Sequence, residues 1–264
     1  EPVIDESART ISFAGGLQDL IDALQAQLAE NILFKSSVQE IEEVAGGWRV
    51  FAAHGMQEYS AVVLATPAHC LAKILLKTSS YFSPVFDQIK YPPVASVVFG
   101  FRREDVAHSL NGFGALVPEV ERMSILGAIF SSSLFPHRAP AGHVTLTCYV
   151  GGCRNPDLAL AEKDVLRGLV LADLKKLLGV KGNPTFEHFS IIRQAIPQYD
   201  VGFGKFKNLM NRIEASSPGL YFAGHYRDGI SLADSIVSGE NVTVKIENRA
   251  DQSRSTTARS LTRL

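Results

Sequence analysis

Leu220-Tyr-Phe-Ala-Gly-His-Tyr-Arg-Asp-Gly-Ile-Ser-Leu-Ala-Asp-Ser-Ile-Val-Ser-Gly239 is the stretch on which the reading of this chain turns. A short apolar run ends at Gly224, a polar loop carries Gly229, and an amphipathic helix starts near Ser231. That order predicts a strand, a loop and a helix. It brings bare backbone N–H groups and the positive end of a helix to the rim of a sheet, a setting that suits an anionic group or the electron-rich edge of a bound cofactor. Alone, the pattern is common to many α/β proteins.

The rest of the chain bounds the choice. Its 264 residues allow one large domain or two ordinary ones with a substantial core. An apolar content of 46% with 20% charged residues is the profile of a soluble globular protein. The net charge of −1 supplies no broad basic surface, so no nucleic-acid partner is expected. Cys70, Cys148 and Cys153 are odd in number and form no C-x-x-C pair, which argues against a disulfide framework and a zinc site. They are expected to be buried core thiols in a reducing compartment. No apolar run is long enough to span a bilayer. The N-terminal Glu-Pro-Val-Ile-Asp-Glu has no signal-peptide pattern and no starting methionine, which hints at a piece of a longer protein.

Outward from the opening stretch, Gly15 and Gly16 precede Leu17, Leu20, Ile21, Leu24 and Leu28 at helical spacing, predicting a helix from Leu17 to about Glu30. Two alternating runs, Ser37–Val44 and Trp48–Ala53, flank a diglycine and read as a hairpin. A third strand is expected over Tyr59–Ala65, stopped by Pro67, then a helical segment over Ala68–Lys77. Further strands are expected over 94–101, 126–133, 144–150 and 186–196. A helix over 161–178 should turn Val165, Leu169, Ala172 and Leu177 inward. Residues 247–264, rich in Ser, Thr, Arg and Asp, read as a frayed helix end and a disordered tail.

The chain carries few motifs of self-contained chemistry. The seven histidines lack metal-ligand spacing, so no metal site is assigned. Ser131-Ser132-Ser133 lies outside any G-x-S-x-G elbow and reads as a strand end. Neither G-x-G-x-x-G nor a P-loop occurs. The segment Gly112–Leu116 is either a turn in the core or a wall for a flat apolar ligand.

Several blocks in order carry a resemblance: Phe13-Ala-Gly-Gly-Leu17, Val63-Leu-Ala-Thr-Pro67, Asn111-Gly-Phe-Gly-Ala-Leu-Val-Pro118, Leu126-Gly-Ala-Ile-Phe-Ser-Ser-Ser-Leu-Phe-Pro136, Tyr149-Val-Gly-Gly152, Ile196-Pro-Gln-Tyr199 and Phe222-Ala-Gly-His-Tyr-Arg-Asp-Gly229. Up to about residue 245 the chain resembles the C-terminal part of the protoporphyrinogen oxidase family, within the flavin-containing amine oxidase superfamily. The resemblance implies an α/β (mixed α+β) fold: a partial FAD-binding domain of the glutathione-reductase type with an inserted mixed β-sheet substrate domain. It divides the chain into 1–72 and 186–248 for FAD, 73–185 for substrate, and a tail at 249–264.

It also implies FAD-dependent oxidation of protoporphyrinogen IX to protoporphyrin IX with oxygen as acceptor. Phe113, Gly114, Leu116, Ile129 and Tyr149 become the walls for the tetrapyrrole, a large flat ring that needs aromatic and aliphatic surfaces and close backbone approach. Val38 matches the position that holds adenine, while Ala65, Thr66 and Pro67 lie near the flavin ring. Gly224 ends the last strand, and backbone at Gly229, Ile230, Ser231 and Leu232 faces the flavin's pyrimidine edge. No side chain is assigned as a catalytic base, because the scheme implied is hydride transfer to flavin N5.

Two departures stand out. The family's N-terminal G-x-G-x-x-G segment, and an arginine there that anchors substrate propionate, have no counterpart in this chain, so weak FAD binding at best is expected of it alone. Gly202-Phe203-Gly204 replaces the usual Gly-His after the Pro-Gln-Tyr block. Alternatives are coproporphyrinogen III as substrate, another amine oxidase or carotenoid desaturase, and a non-catalytic tetrapyrrole-binding remnant. The resemblance further implies a cytoplasmic protein with peripheral attachment to the inner face of a membrane, and leaves open a homodimer in the full-length enzyme.

Overall fold

The computed structural model describes residues 10–77 and 83–261. The N-terminal hexapeptide discussed above lies outside them. In chain order, helix α1 (Gln18–Leu28) leads to strands β1 (Val38–Val44), β2 (Gly47–Ala52), β3 (Gly55–Tyr59) and β4 (Val62–Leu64). Helix α2 (Ala68–Leu71) and strand β5 (Leu75–Lys77) precede β6 (Val94–Arg102), β7 (Gly114–Leu116) and β8 (Ile125–Ile129). Then come helix α3 (Ser131–Leu134), β9 (His143–Gly151), helix α4 (Lys163–Leu178) and β10 (Phe186–Ile192). Helix α5 (Gly204–Ser216), β11 (Leu220–Phe222) and α6 (Leu232–Leu261) follow.

The chain forms two compact units. One takes the described residues up to Ile32 together with Pro92–Ala195. Its sheet has the order β10-β6-β9-β8-β7, with every pairing antiparallel. Alternation along β6 and β9 sends Val97, Phe99, Phe101, Leu146, Cys148 and Val150 to one face, into a common core with Leu166, Val170, Leu174 and Leu178 of α4. Each such side chain contributes about 1.5–3 kcal/mol by leaving water. Asp173 fastens helix to sheet: its carboxylate accepts the backbone N–H groups of Ser124 at 2.6 Å and Ile125 at 3.0 Å. Gly179, at φ 63°, closes α4 in the left-handed conformation and donates its N–H to Lys175 O at 3.1 Å.

The other unit takes Leu33–Tyr91 and the described residues from Ile196 onward. A meander β3-β2-β1 is extended by β5, which runs parallel to β1. A second, two-stranded sheet pairs β4 with β11 in parallel: Val62 opposes Leu220, Val63 opposes Tyr221 and Leu64 opposes Phe222. Trp48, Phe86, Met210, Phe222 and Tyr226 make the core, and the Trp48 indole N–H reaches Pro218 O at 3.3 Å.

Several expectations are corrected. Both domain boundaries move: β5 belongs with β1, and Phe86, Ile89 and Tyr91 with the second core, so the break falls after Tyr91 rather than 72. Strand β10 pairs with β6, so the return falls after Ala195 rather than 185, and residues up to Ile32 group with the five-stranded unit. That sheet is antiparallel rather than mixed. The single strand expected over Tyr59–Ala65 is two, because Tyr59 ends β3 while β4 pairs in another sheet. The helix over Ala68–Lys77 stops at Leu71, and Ser131–Leu134 is a helical turn rather than a strand end.

The inward face of α4 is Leu166, Val170, Leu174 and Leu178, one or two positions from the set expected; the helix's apolar residues are spread round its circumference among charged ones, so spacing alone left the choice of stripe open. Helix α5, unforeseen, buries Phe206, Met210 and Ile213 at helical spacing. The expected tail is instead a continuation of α6 to Leu261, in keeping with the absence of Gly and Pro after Gly239. Only Cys148 of the three cysteines is buried; its thiol is pushed up to about 12 by burial and by the nearby Asp173. Among the described residues no helix is long and apolar enough to cross a membrane.

Asp173→Ala should lower stability by about 1–3 kcal/mol, since two backbone donors at the start of β8 lose their acceptor. The urea midpoint measures this, and an unchanged midpoint would contradict the fastening role.

Candidate functional site

Two sets of residues concern function, one in each unit. In the five-stranded unit, register decides which side chains share a face. Leu116 opposes Gly127, Gly127 opposes Tyr149 and Tyr149 opposes Ser96. One step along, Gly114 opposes Ile129, Ile129 opposes Thr147 and Thr147 opposes Val98. Directly opposed residues point the same way. Gly114, Leu116, Ile129 and Tyr149 therefore lie on one face, the face turned away from the α4 core.

Phe113 immediately precedes β7. Its carbonyl accepts Phe130 N–H at 3.0 Å, and its ring is 58% exposed, while Leu116 is 91% exposed. The glycines there are dictated by packing: a Cβ on Gly114 would lie 2.3 Å from Ala128 O, and one on Gly127 2.6 Å from Ala115 O. Arg154 helps to hold the edge strand by donating to Val117 O at 2.8 Å. The result is a broad face with apolar side chains standing open.

In the second unit, the parallel pair β4 and β11 ends in two loops side by side. Ala223 N–H donates to Leu64 O at 3.1 Å, and a Cβ on Gly224 would meet Ala65 O at 3.6 Å. Ala65, Thr66 and Pro67 thus stand next to Gly224 beyond the carboxyl ends of the strands, where α/β sheets bind ligands. Val38 opens β1 opposite Ala52, in the other sheet of this unit.

The loop from Gly224 to Ser231 is tied down at each step. Gly224 N–H donates to Ser238 Oγ at 2.8 Å, and Ser238 donates in turn to Asp228. Tyr226 donates its hydroxyl to Leu64 O. Arg227 is buried; its Nη2 donates to Asn211 at 3.0 Å and Glu214 at 3.2 Å, and its Nη1 lies 2.9 Å from Glu214 without hydrogen-bond alignment.

The helix start differs from expectation in one respect. Ser231 and Asp234 form a reciprocal cap: Asp234 N–H donates to Ser231 Oγ and Ser231 N–H donates to Asp234, both at 3.0 Å. Ser231 N–H is therefore spent within the chain. Leu232, first in α6, keeps an N–H that no helical carbonyl can reach. Ile230 and Leu232 are exposed beside it. A planar group with one polar edge fits this step, held by apolar contact and by the helix end more than by a row of donors.

Four rings that sequence reasoning did not assign flank these loops. His69 and Tyr91 meet edge-on at 4.8 Å, and Tyr91 and His225 at 5.7 Å. Tyr91 accepts Ala68 N–H at 3.0 Å, and burial pushes its phenol up to about 12. Tyr199 donates to His225 O at 2.7 Å and stacks on Phe203 at 4.1 Å. Burial holds both His69 and His225 below the ordinary value of 6.5, assisted by Lys73 at His69 and by His69 at His225. The signals were present, since His225 and Tyr199 lie inside quoted blocks. Their partner His69 is distant in sequence.

Comparison with known proteins now sets the class. Residues 3–246 match the model of the flavin containing amine oxidoreductases, and the chain belongs to that family. Flavin is the cofactor class that the family defines. More particularly, the chain is 33% identical to the mitochondrial protoporphyrinogen oxidase of Nicotiana tabacum over 250 residues, covering 88% of this chain and 50% of that one. It is 25% identical to coproporphyrinogen III oxidase of Bacillus subtilis (strain 168), covering 85% and 48%. A crystal structure of a protein from Exiguobacterium sp. 255-15 assigned as a protoporphyrinogen oxidase superposes with a TM-score of 0.72 at 27% identity, covering 89% and 51%. The chain spans about half the length of the relatives it matches.

Glu214→Ala should cost about 3–5 kcal/mol, because it leaves the buried Arg227 only the more distant Asp228 carboxylate at 3.7 Å and also takes the acceptor from Phe222 N–H; a fall in thermal midpoint measures it, and a near-neutral result would show the loop to be held by other means. The two neutral histidines set a pH dependence. The unfolded chain takes up protons near 6.5 that the folded chain resists, so their stabilising contribution is present above 6.5 and is lost as pH falls through that value. Thermal midpoints between about pH 7 and about pH 5 should fall less steeply in a His69→Asn, His225→Asn variant than in the parent. Parallel curves would count against it.

Proposed function

We propose that this chain contributes to an FAD-dependent oxidation of protoporphyrinogen IX to protoporphyrin IX, with oxygen as final acceptor. The observation that carries the reading is the single open sheet face bearing Gly114, Leu116, Ile129 and Tyr149; Phe113, also exposed, lies on the same edge one residue before Gly114. A tetrapyrrole needs a broad apolar surface, and that face offers one where core packing does not claim the side chains. Likeness to protoporphyrinogen oxidases at 30–33% identity, above the 25% to the coproporphyrinogen enzymes, favours protoporphyrinogen as substrate.

FAD, when bound, would supply two-electron oxidation, used three times with reoxidation by oxygen between turnovers, because the porphyrinogen loses six electrons and six hydrogens in becoming the porphyrin. The chain's own part is to hold and orient. Ala65, Thr66, Pro67 and Gly224 would face the flavin ring, with Ile230 and Leu232 against it and the start of α6 favouring negative charge at its polar edge. Val38, one sheet away, would serve the adenine end. The buried Tyr91 and the two neutral histidines add no charge there at neutral pH.

Titration of the chain with protoporphyrin IX, followed by porphyrin fluorescence, tests the reading. Saturable binding is expected, weakened by about 1–3 kcal/mol in Phe113→Ala through lost aromatic contact. Unaltered affinity in that variant removes Phe113 from the site. Failure of the parent chain to bind overturns the reading.

A further inference from the structure

The open sheet face does not end at Ile129. Its strand neighbours Thr147 and Val98 form part of the wall of a cavity of about 940 Å³ within the same unit. Leu17, Phe135 and Phe186 give this cavity apolar sides, and Ser131 and Thr145 add hydroxyls. Arg138 projects into it. Among the described residues no aspartate or glutamate lines the cavity, and Arg138 takes part in no ion pair.

The guanidinium is nevertheless held in place. Its Nη2 donates to Ser12 Oγ at 3.1 Å and to Phe13 O at 2.9 Å, which occupies one corner of the fork. Nε and Nη1 have no protein acceptor among the described residues. Gly16, at φ 104°, passes close by: a Cβ there would lie 3.6 Å from Nη1. The backbone carrying the arginine is fixed too, because Thr145 donates its hydroxyl to Arg138 O at 2.8 Å. Ser131 and Thr147 share a hydrogen bond of 2.8 Å on the wall nearest Ile129. A fixed cation with two unsatisfied donor positions, apolar sides and no internal counter-ion is complementary to a carboxylate on a short aliphatic stem.

We propose that this cavity receives a propionate arm of the tetrapyrrole and that Arg138 is its carboxylate partner. The inference rests on the porphyrin reading above and adds a substrate-specificity residue to it. The distances suit the assignment. Tyr149 and Thr145 are four residues apart along β9, about 13 Å, a span that a macrocycle with one arm extended covers. The ring would then lie across Tyr149 and Ile129 while the arm descends past Thr147. The aliphatic stem would run along Leu17 and Phe135, and the carboxylate would take the Nε and Nη1 donors.

The test compares protoporphyrin IX with its dimethyl ester, in which both carboxylates are masked, on the 264-residue chain by fluorescence titration. The parent should prefer the free acid by about tenfold or more, the effect of one charge-assisted hydrogen-bonded pair. Arg138→Met should abolish that preference while leaving affinity for the ester unchanged. Arg138→Lys, which keeps the charge but loses the fork, should retain an intermediate preference. Equal affinities for acid and ester in the parent, or a preference undiminished in both variants, would overturn the subsite and leave the porphyrin reading standing. Equal loss of acid and ester affinity in both variants would reduce Arg138 to a structural role and also overturn it. Failure of the parent to bind either porphyrin would overturn the reading and the subsite together.

Discussion

Three parallel residue pairs carry a large share of this architecture. Val62–Leu64 and Leu220–Phe222 are far apart in sequence, and their pairing sets Ala65–Pro67 beside Gly224. Parallel strands cannot be joined by a tight turn, so the register between them is enforced by what surrounds them. Leu64, Leu220 and Phe222 are buried in one core with Trp48 and Tyr226, and Tyr226 returns its hydroxyl to Leu64 O. A slip of one residue would turn Phe222 out of that core and carry Gly224 away from Ala65. Apolar burial and one buried hydroxyl therefore position loops that are themselves polar and exposed.

In the five-stranded unit the equivalent constraint is the two-residue period of the strand. Each of β6, β8 and β9 gives one face to α4 and the core and leaves the other free. Stability and recognition are thereby separated within single strands. Val97 and Cys148 are invested in packing, while Val98 and Tyr149, next to them in sequence, are available to a ligand. The close backbone approaches at Gly114 and Gly127 belong to the same economy, since any side chain there would collide with the neighbouring strand.

Much of this was legible before the fold was known. The diglycine at Gly46-Gly47 marked the β1–β2 hairpin, and Gly224 with Gly229 marked the strand, loop and helix at the end of the chain. The blocks Asn111–Pro118, Leu126–Pro136 and Tyr149–Gly152 pointed to residues that share one face, through resemblance to a family and not through any periodicity of their own. What escaped was of another kind. The apolar run at Ile74–Leu76 reads equally as helix or strand until β1 is there to pair with it. Helix α4 is greasy on too many sides for spacing to select Leu166 over Val165. The Ser231–Asp234 cap was visible as a pair three apart, yet its consequence, a donor removed from the rim, follows only from geometry. Arg138 gave no local signal, because its meaning lies in Ser12, Phe13 and an empty space lined by three strands.

The most direct measurement of the account is hydrogen exchange by mass spectrometry on the chain with and without protoporphyrin IX. Porphyrin should slow exchange in β7, β8 and β9, around Gly114–Leu116, Gly127–Ile129 and Thr145–Tyr149, and leave α4 unaffected. Protection confined to α4, or none in those strands under saturating porphyrin, would contradict it.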